Sequence, residues 1–193
     1  MLGLKLATDP RWVTIVESNI EEILTDHAWC EQKAATNIIT IITYNSEHEE
    51  LVTDLLEIAK EELEHFQMVH NIIKERGLKL GRERKDHYVN ELFKFLKKDG
   101  SRNDAFVDRL LFSAMIEARS CERFKVLSQN IEDKELADFY RLLMISEAGH
   151  YTTFLKFARK YSEKVDVDQR WQEWIDFEGV LITNYGKAET VHG

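Results

Sequence analysis

The sequence predicts an all-helical protein built on a four-helix bundle. Its 193 residues include only 8 glycines and 1 proline, too few to form the many turns of a sandwich or barrel. Apolar residues recur at intervals of three and four along four long segments, which is the period of an amphipathic helix. With 44% apolar and 32% charged residues the chain has a globular composition, and we expect residues 1–193 to form a single domain.

A short helix and the first long helix are expected before residue 46. Asp9 followed by Pro10 is a good cap before a proline at the first helical position, so a short N-terminal helix starts there. Ser18 and Glu21 then have the spacing of a capping box, although the break between the two helices could fall a few residues further on. The long helix ends near Tyr44.

The second long helix leads into a crossover. Ser46 and Glu49 form another capping-box pattern at its start, and Gly77 marks its end. Residues 77–103 are rich in glycine and basic side chains and contain one short amphipathic piece, Tyr88–Lys97. We therefore expect a long basic crossover between two helical hairpins.

Three further helices are predicted in the second half from an amide or acidic cap followed by helical apolar spacing. The last of them carries two tryptophans and should cover the bundle. Their expected limits are Asn103 or Asp104 to about Gln129, Asp133 to about Tyr161, and Asp166 to about Tyr185.

Charge is distributed unevenly along the chain. The net charge is −9, yet Lys74–Arg102 carries ten basic and five acidic residues. Such a segment on an acidic protein is typical of a site that binds phosphate, although a solvated loop has the same composition. Tyr88, Phe93 and Phe95 are candidates for stacking on bases, while packing under the loop is the more usual role of the two phenylalanines.

Acidic side chains interrupt the apolar stripes of all four long helices. An ionised carboxylate buried in such a stripe is very costly unless a cation compensates it. Two helices carry one glutamate each, and the other two carry a Glu-x-x-His pair. The six residues are Glu31, Glu62, His65, Glu117, Glu147 and His150.

Helix geometry brings these side chains to one level. In each hairpin the lone glutamate and the Glu-x-x-His pair both lie about 20 Å from the connecting turn. The second hairpin repeats the layout of the first after 85 or 86 residues. Four carboxylates and two imidazoles suit two adjacent divalent metals, and favour iron or manganese over zinc. This is the ligand pattern of ferritin-like di-iron and di-manganese bundles.

Four neighbouring residues have weaker assignments. Glu61 and Ser146 directly precede the pair glutamates and could bond the imidazole of an opposite helix. Cys30 and Cys121 have no CxxC spacing, so we expect reduced thiols that fill the core rather than ligands.

Four stretches resemble the tRNA 2-methylthio-N6-isopentenyladenosine hydroxylase family: Asp26–Ala35, Glu61–Phe66, Glu117–Phe124 and Ser146–Tyr151. The resemblance covers nearly the whole chain. It implies a non-haem di-iron monooxygenase that hydroxylates the isopentenyl group of a modified adenosine beside the tRNA anticodon. It also implies two iron ions held by the six residues, with Glu62 and Glu147 as bridges, O2 as co-substrate and an external electron-transfer reductase as partner.

Two other classes share the ligand pattern: a ferritin-like ferroxidase and a peroxide-removing di-iron protein. A purely RNA-binding bundle would leave the carboxylates in the apolar stripes unexplained. No apolar run is long enough to span a bilayer and no secretory signal is evident, so we expect a cytoplasmic protein without a membrane partner. The oligomeric state is left open.

Overall fold

Helices make up most of the chain in the computed structural model, which describes residues 2–184 and 190–192. Seven α-helices and one short 3-10 helix occur in the described residues, and no strand occurs among them. The all-helical prediction is therefore confirmed. The elements are α1 (Trp12–Ser18), α2 (Ile20–Tyr44), α3 (Glu49–Glu75), α4 (His87–Lys94), α5 (Arg102–Asn130), α6 (Lys134–Tyr161), α7 (Val167–Leu181) and the 3-10 turn Ile182–Asn184.

The described residues divide into two compact units. Of the described residues, the α2–α3 unit holds 18–85 and 190–191, and the α5–α6 unit holds 2–17, 86–184 and 192. That residues 1–193 form a single domain stays a prediction. No helix of the described segments has the length and apolar composition of a membrane span.

In the α2–α3 unit, α2 packs against α3 as a hairpin. Helix α3 begins at Glu49 after His48, so the predicted capping box with Ser46 is wrong. The reason is a tight turn, in which the His48 amide donates to the Asn45 carbonyl at 3.2 Å and places residue 46 within the turn. The first long helix likewise begins at Ile20, with no side-chain cap bond.

Gly77 ends α3 as predicted. Its φ of 68° lies in the left-handed region that glycine enters without a Cβ clash. The Gly77 amide donates to the Lys74 carbonyl at 3.0 Å, and the Leu78 amide donates to the Ile73 carbonyl at 2.9 Å. These two bonds form a Schellman motif, which satisfies carbonyls that the helix end would otherwise leave unbonded.

The chain after Gly77 runs along α2 and is held there by its main-chain atoms. The Lys79 amide donates to Glu21 and the Gly81 amide donates to Thr25, both at 3.1 Å. The Gly81 carbonyl accepts from the Trp29 indole at 3.0 Å. The first part of the crossover therefore follows a path that α2 defines.

In the α5–α6 unit, α5 packs against α6, while α7 packs against α5 and α4. Helix α5 starts earlier than predicted, because Ser101 and Asp104 form a complete capping box. The predicted caps Asp133 and Asp166 are confirmed, since each side chain accepts from an amide of the following turn. Helix α7 ends at Leu181, and its predicted end, Tyr185, lies outside the described residues.

Buried charges join α5 to α7. The Arg119 guanidinium donates to Glu178 on α7 and to Glu122 on its own helix, at 2.6 and 2.9 Å. The Tyr88 hydroxyl of α4 donates to the same Glu178 oxygen at 3.0 Å. Asp108 accepts from Arg170 at 2.7 Å in a second buried cluster on the same two helices. These bonds fix the rotation of α5 relative to α7.

Candidate metal centre

The α2–α3 unit brings together Glu31, Glu62 and His65. All three side chains are buried, and one ligand atom from each lies within 4.8 Å of the others. His65 Nδ1 lies 3.7 Å from Glu31 Oε2 and 3.9 Å from Glu62 Oε2. Glu62 and His65 are one turn apart on α3, so the helix itself places them on the same face. The prediction that these three residues meet is confirmed.

His27 is a fourth buried residue of this group, and the sequence reasoning assigned it no role. Its Nε2 donates to Glu31 Oε1 at 2.6 Å across one turn of α2. Burial alone raises the pKa of Glu31, but the hydrogen bond from His27 and the nearby His65 hold that pKa well below its usual value. The four-residue spacing of His27 and Glu31 on the buried face of α2 was the available signal.

The pKa of His65 shifts in the opposite direction. Burial alone lowers this pKa, whereas the two neighbouring carboxylates, Glu31 and Glu62, raise it to about 10. The carboxylates therefore favour a cation among them, which is the requirement that the apolar stripes predicted.

The α5–α6 unit brings together Glu117, Glu147 and His150. These side chains are also buried, with one ligand atom from each within 4.8 Å of the others. Ser146 Oγ lies 3.4 Å from His150 Nε2, which places it beside the imidazole of its own helix and not of the opposite one. Each unit thus supplies one glutamate and one Glu-x-x-His pair.

The donor set of each unit fits iron or manganese. Two carboxylates and one imidazole are oxygen and nitrogen donors, which suit these metals better than soft thiolate ligands would. Cys121 is buried and its thiol lies 3.2 Å from the Met144 carbonyl. Burial, and next the nearby Glu117, raise the pKa of Cys121 to about 11, so this thiol fits the predicted role of core filler.

The three aromatic candidates of the crossover differ in exposure. Tyr88 is fully buried, and Phe95 is stacked on Phe177 with ring centroids 4.2 Å apart and has the Arg170 guanidinium carbon 4.3 Å from its centroid, so both rings are engaged within the protein. Phe93 is 50% exposed. Within the α2–α3 unit, the side chains of Arg82, Arg84 and Lys85 are exposed.

A family model described as tRNA-(MS[2]IO[6]A)-hydroxylase (MiaE) matches residues 2–193 of this chain. The chain belongs to the MiaE family. The predicted resemblance to this family is therefore confirmed, and the match extends over nearly the whole chain as expected.

Two curated relatives agree with the MiaE assignment, and both are named tRNA 2-(methylsulfanyl)-N(6)-isopentenyladenosine(37) hydroxylase. The relative from Pseudomonas putida KT2440 is 35% identical over 160 residues, which cover 83% of this chain and 77% of the relative. The relative from Salmonella typhimurium LT2 is 32% identical over 143 residues, covering 74% of this chain and 52% of the relative. The match thus spans about half of the Salmonella protein.

A solved structure gives the fold of this MiaE member independently. It is a Synechococcus protein described as having aldehyde deformylating oxygenase activity, and it is 27% identical with a TM-score of 0.89. The similarity covers 98% of this chain and 95% of the other. The predicted ferritin-like fold class is confirmed by it.

Proposed function

We propose that this protein hydroxylates the isopentenyl group of 2-methylthio-N6-isopentenyladenosine in tRNA. The observation that carries the proposal is the pair of buried three-residue sets, each with one glutamate and one Glu-x-x-His pair, in a member of the MiaE family. Both curated relatives carry the name of this hydroxylase. The ferroxidase and peroxide-removing alternatives are not favoured, because no relative reported above bears either name.

The two sets together are proposed to hold two iron ions within a single catalytic domain. Glu62 and Glu147 are proposed as bridges, and the other four residues as ligands to one ion each. When bound, two carboxylate-bridged irons supply reductive activation of O2, with electrons from an external reductase. The proposed ligands lie in stripes of buried aliphatic and aromatic side chains. The protein would therefore keep the reaction in an apolar interior.

The basic crossover is proposed to bind the tRNA backbone. Its exposed basic side chains include Arg82 and Arg84, whereas the protein as a whole has a net charge of −9. Phosphate is therefore attracted to this segment more than to the rest of the surface. We place the protein in the cytoplasm with its tRNA substrate.

Nucleoside analysis of tRNA tests the function directly. Cells that lack this protein should accumulate the unhydroxylated isopentenyl nucleoside, and a plasmid copy should restore the hydroxylated one. A copy with Glu62→Ala should fail to restore it. An unchanged nucleoside profile in the deletion strain would refute the proposal.

A further inference from the structure

Phe93 stands apart from the other aromatic side chains of the described residues. Among them only Tyr44 and Phe93 are exposed, by 69% and 50%. Tyr44 ends α2 and precedes an acidic stretch that includes Glu47, Glu49 and Glu50. Phe93 lies on α4 within the basic crossover, so it is the exposed aromatic ring that has cations near it in the sequence.

The Phe93 ring is held in place by its neighbours. The Arg109 guanidinium carbon lies 5.2 Å from the ring centroid, and the Phe112 ring meets it edge-on with centroids 5.8 Å apart. These cation–π and aromatic contacts fix an exposed side chain that would otherwise sample several rotamers. A ligand that stacks on this ring therefore loses little further side-chain entropy.

Positive charge follows the ring directly. Lys94 is the next residue, and its side chain is 67% exposed although it pairs with Glu91. Lys97 and Lys98 are also exposed. An aromatic face followed by lysines is the combination that binds single-stranded nucleic acid, because bases stack on the ring while the cations neutralise phosphates.

We propose that Phe93 is a stacking platform for an unpaired base of the RNA substrate. The proposal rests on the tRNA function proposed above. Stacking on the Phe93 ring would favour binding of loop nucleotides over paired ones. Paired bases are already stacked in a helix and cannot cover the ring, whereas loop bases can be splayed out onto an aromatic side chain.

The test measures binding of a tRNA anticodon stem–loop and of a blunt RNA duplex of equal charge. Phe93→Ala should weaken stem–loop binding by about tenfold and leave duplex binding unchanged, because one stacked base is lost. Phe93→Trp should restore the stem–loop affinity. The control Val180→Ala removes a side chain that is 70% exposed on α7, and should change neither affinity.

The outcomes separate this inference from the proposed function. If the parent binds the stem–loop and Phe93→Ala binds it equally well, the stacking platform is refuted while the hydroxylase function stands. If Phe93→Ala weakens stem–loop and duplex alike, the ring acts without selecting unpaired bases and the inference is overturned. If the parent binds neither RNA, both proposals fail.

A second inference concerns His27, and its contacts lie within the α2–α3 unit. The repeat of 86 residues that relates Glu31 to Glu117 relates His27 to Ser113. The Ser113 hydroxyl donates to the Arg109 carbonyl of its own helix at 3.2 Å, whereas the His27 imidazole donates to Glu31. The repeat is therefore unequal at this position.

We infer that His27 is a positioning residue, which occupies Glu31 Oε1 and leaves Oε2 as the donor to a metal. Oε2 is the oxygen on the His65 side, 3.7 Å from His65 Nδ1. A carboxylate fixed by a neighbour presents one oxygen in one direction, so it needs less reordering when a metal binds.

Equilibrium binding of Fe(II) without O2, and the visible spectrum of the Co(II)-loaded protein, test this inference. His27→Ala should weaken the binding of one of the two ions by about tenfold and change the Co(II) spectrum, since the neighbour that orients a ligand is lost. His27→Gln, whose amide can donate to Glu31, should recover part of the affinity. Ser113→Ala should bind both ions like the parent. Parent-like metal binding by a folded His27→Ala variant would overturn the inference.

Discussion

Arg119 on α5 and Glu178 on α7 form a fully buried ion pair, with Arg119 Nη2 and Glu178 Oε1 2.6 Å apart and neither side chain exposed to solvent. Glu117 lies two residues before Arg119 on the same helix. The pair therefore anchors the part of α5 that carries a candidate metal ligand. The sequence predicted that the last helix covers the bundle with apolar side chains. Helix α7 also supplies the carboxylate of Glu178, which pairs with Arg119.

Removing one member of this pair should strongly destabilise the protein. Glu178→Ala leaves the Arg119 charge buried beside fewer acceptors, and we expect a loss of about 3–5 kcal/mol in the free energy of unfolding. Denaturant titration measures it. The control Asp176→Ala removes an exposed partner of Lys5 on the same helix, and should have a much smaller effect on stability because water screens exposed ion pairs. Equal effects of the two variants would contradict a structural role for the buried pair.

Tyr88 should make the folded state sensitive to alkaline pH. Burial, and next the charge of Glu178, raise its pKa well above the ordinary value, so the folded state keeps the neutral phenol that the unfolded chain ionises. The stability that this difference contributes is complete below about pH 10 and falls as pH rises further.

Tyr88→Phe tests this prediction. The variant should lose about 1–2 kcal/mol at neutral pH, because the hydroxyl no longer donates to Glu178. Its stability should then fall less steeply than that of the parent above about pH 10. Denaturant titrations between neutral and alkaline pH measure both effects, and parallel curves for the two proteins would refute the prediction.

The proposed bridges should differ from the other carboxylate ligands in metal stoichiometry. Glu62→Ala and Glu147→Ala should remove both ions, since each bridge serves both. Glu31→Ala and Glu117→Ala should mainly weaken the binding of one ion. Iron analysis after anaerobic reconstitution checks the four variants, and the same loss in all of them would contradict the bridging assignment.

The oxygen atom of the product should come from O2. With a chemical or enzymatic reductant and labelled 18O2, the hydroxylated isopentenyl group should carry the label by mass spectrometry. Water labelled with 18O should contribute none to the product. Label that comes from water alone would point to a different chemistry.

Reversing charge on the crossover should weaken tRNA binding without affecting the metal. A triple change to glutamate should lower affinity at low salt by far more than tenfold and flatten the salt dependence, because fewer counterions are released. Iron content and helicity should stay unchanged, as the segment carries no proposed ligand. The three residues are Arg82, Arg84 and Lys85.

A matched triple reversal elsewhere provides the control. Lys60, Lys134 and Arg141 are exposed on α3 and α6, and changing them to glutamate alters the net charge equally. If both triples weaken tRNA binding to the same degree, the effect reflects overall charge and the crossover has no special role. If the crossover triple binds like the parent at several salt concentrations, the RNA binds elsewhere.

Sequence patterns predicted those parts of the fold that local physics decides. Gly77 adopts the left-handed conformation that ends α3 because it has no Cβ, and Asp133 and Asp166 cap helices because their oxygens reach the next turn. The six candidate ligands fall into the expected two sets because helical periodicity places each Glu-x-x-His pair on one face. Helix starts near a tight turn were less accurate, since Ser46 is held in the turn that His48 closes.

Residues that act through distant partners could not be predicted. Glu178 is separated by 59 positions from Arg119 and by 90 from Tyr88, and no local pattern marks such a cluster. The role of His27 depends on which oxygen of Glu31 it contacts, and residue spacing alone does not give that geometry. The exposure of Phe93 follows from the way α4 buries Tyr88 and Leu92 instead.

In the first part of the crossover, the atoms that set the path of the chain are mostly not those of the side chains proposed to bind RNA. Its main-chain atoms bond to α2 side chains at Glu21, Thr25 and Trp29, and the Arg84 guanidinium adds a bond to the Glu22 carbonyl at 3.3 Å. Changes at positions 82 and 85 therefore leave these bonds in place, whereas a change at position 84 removes the bond to the Glu22 carbonyl. If the crossover binds RNA as proposed, its cations at positions 82 and 85 can be changed to alter that binding while the main-chain bonds to α2 remain.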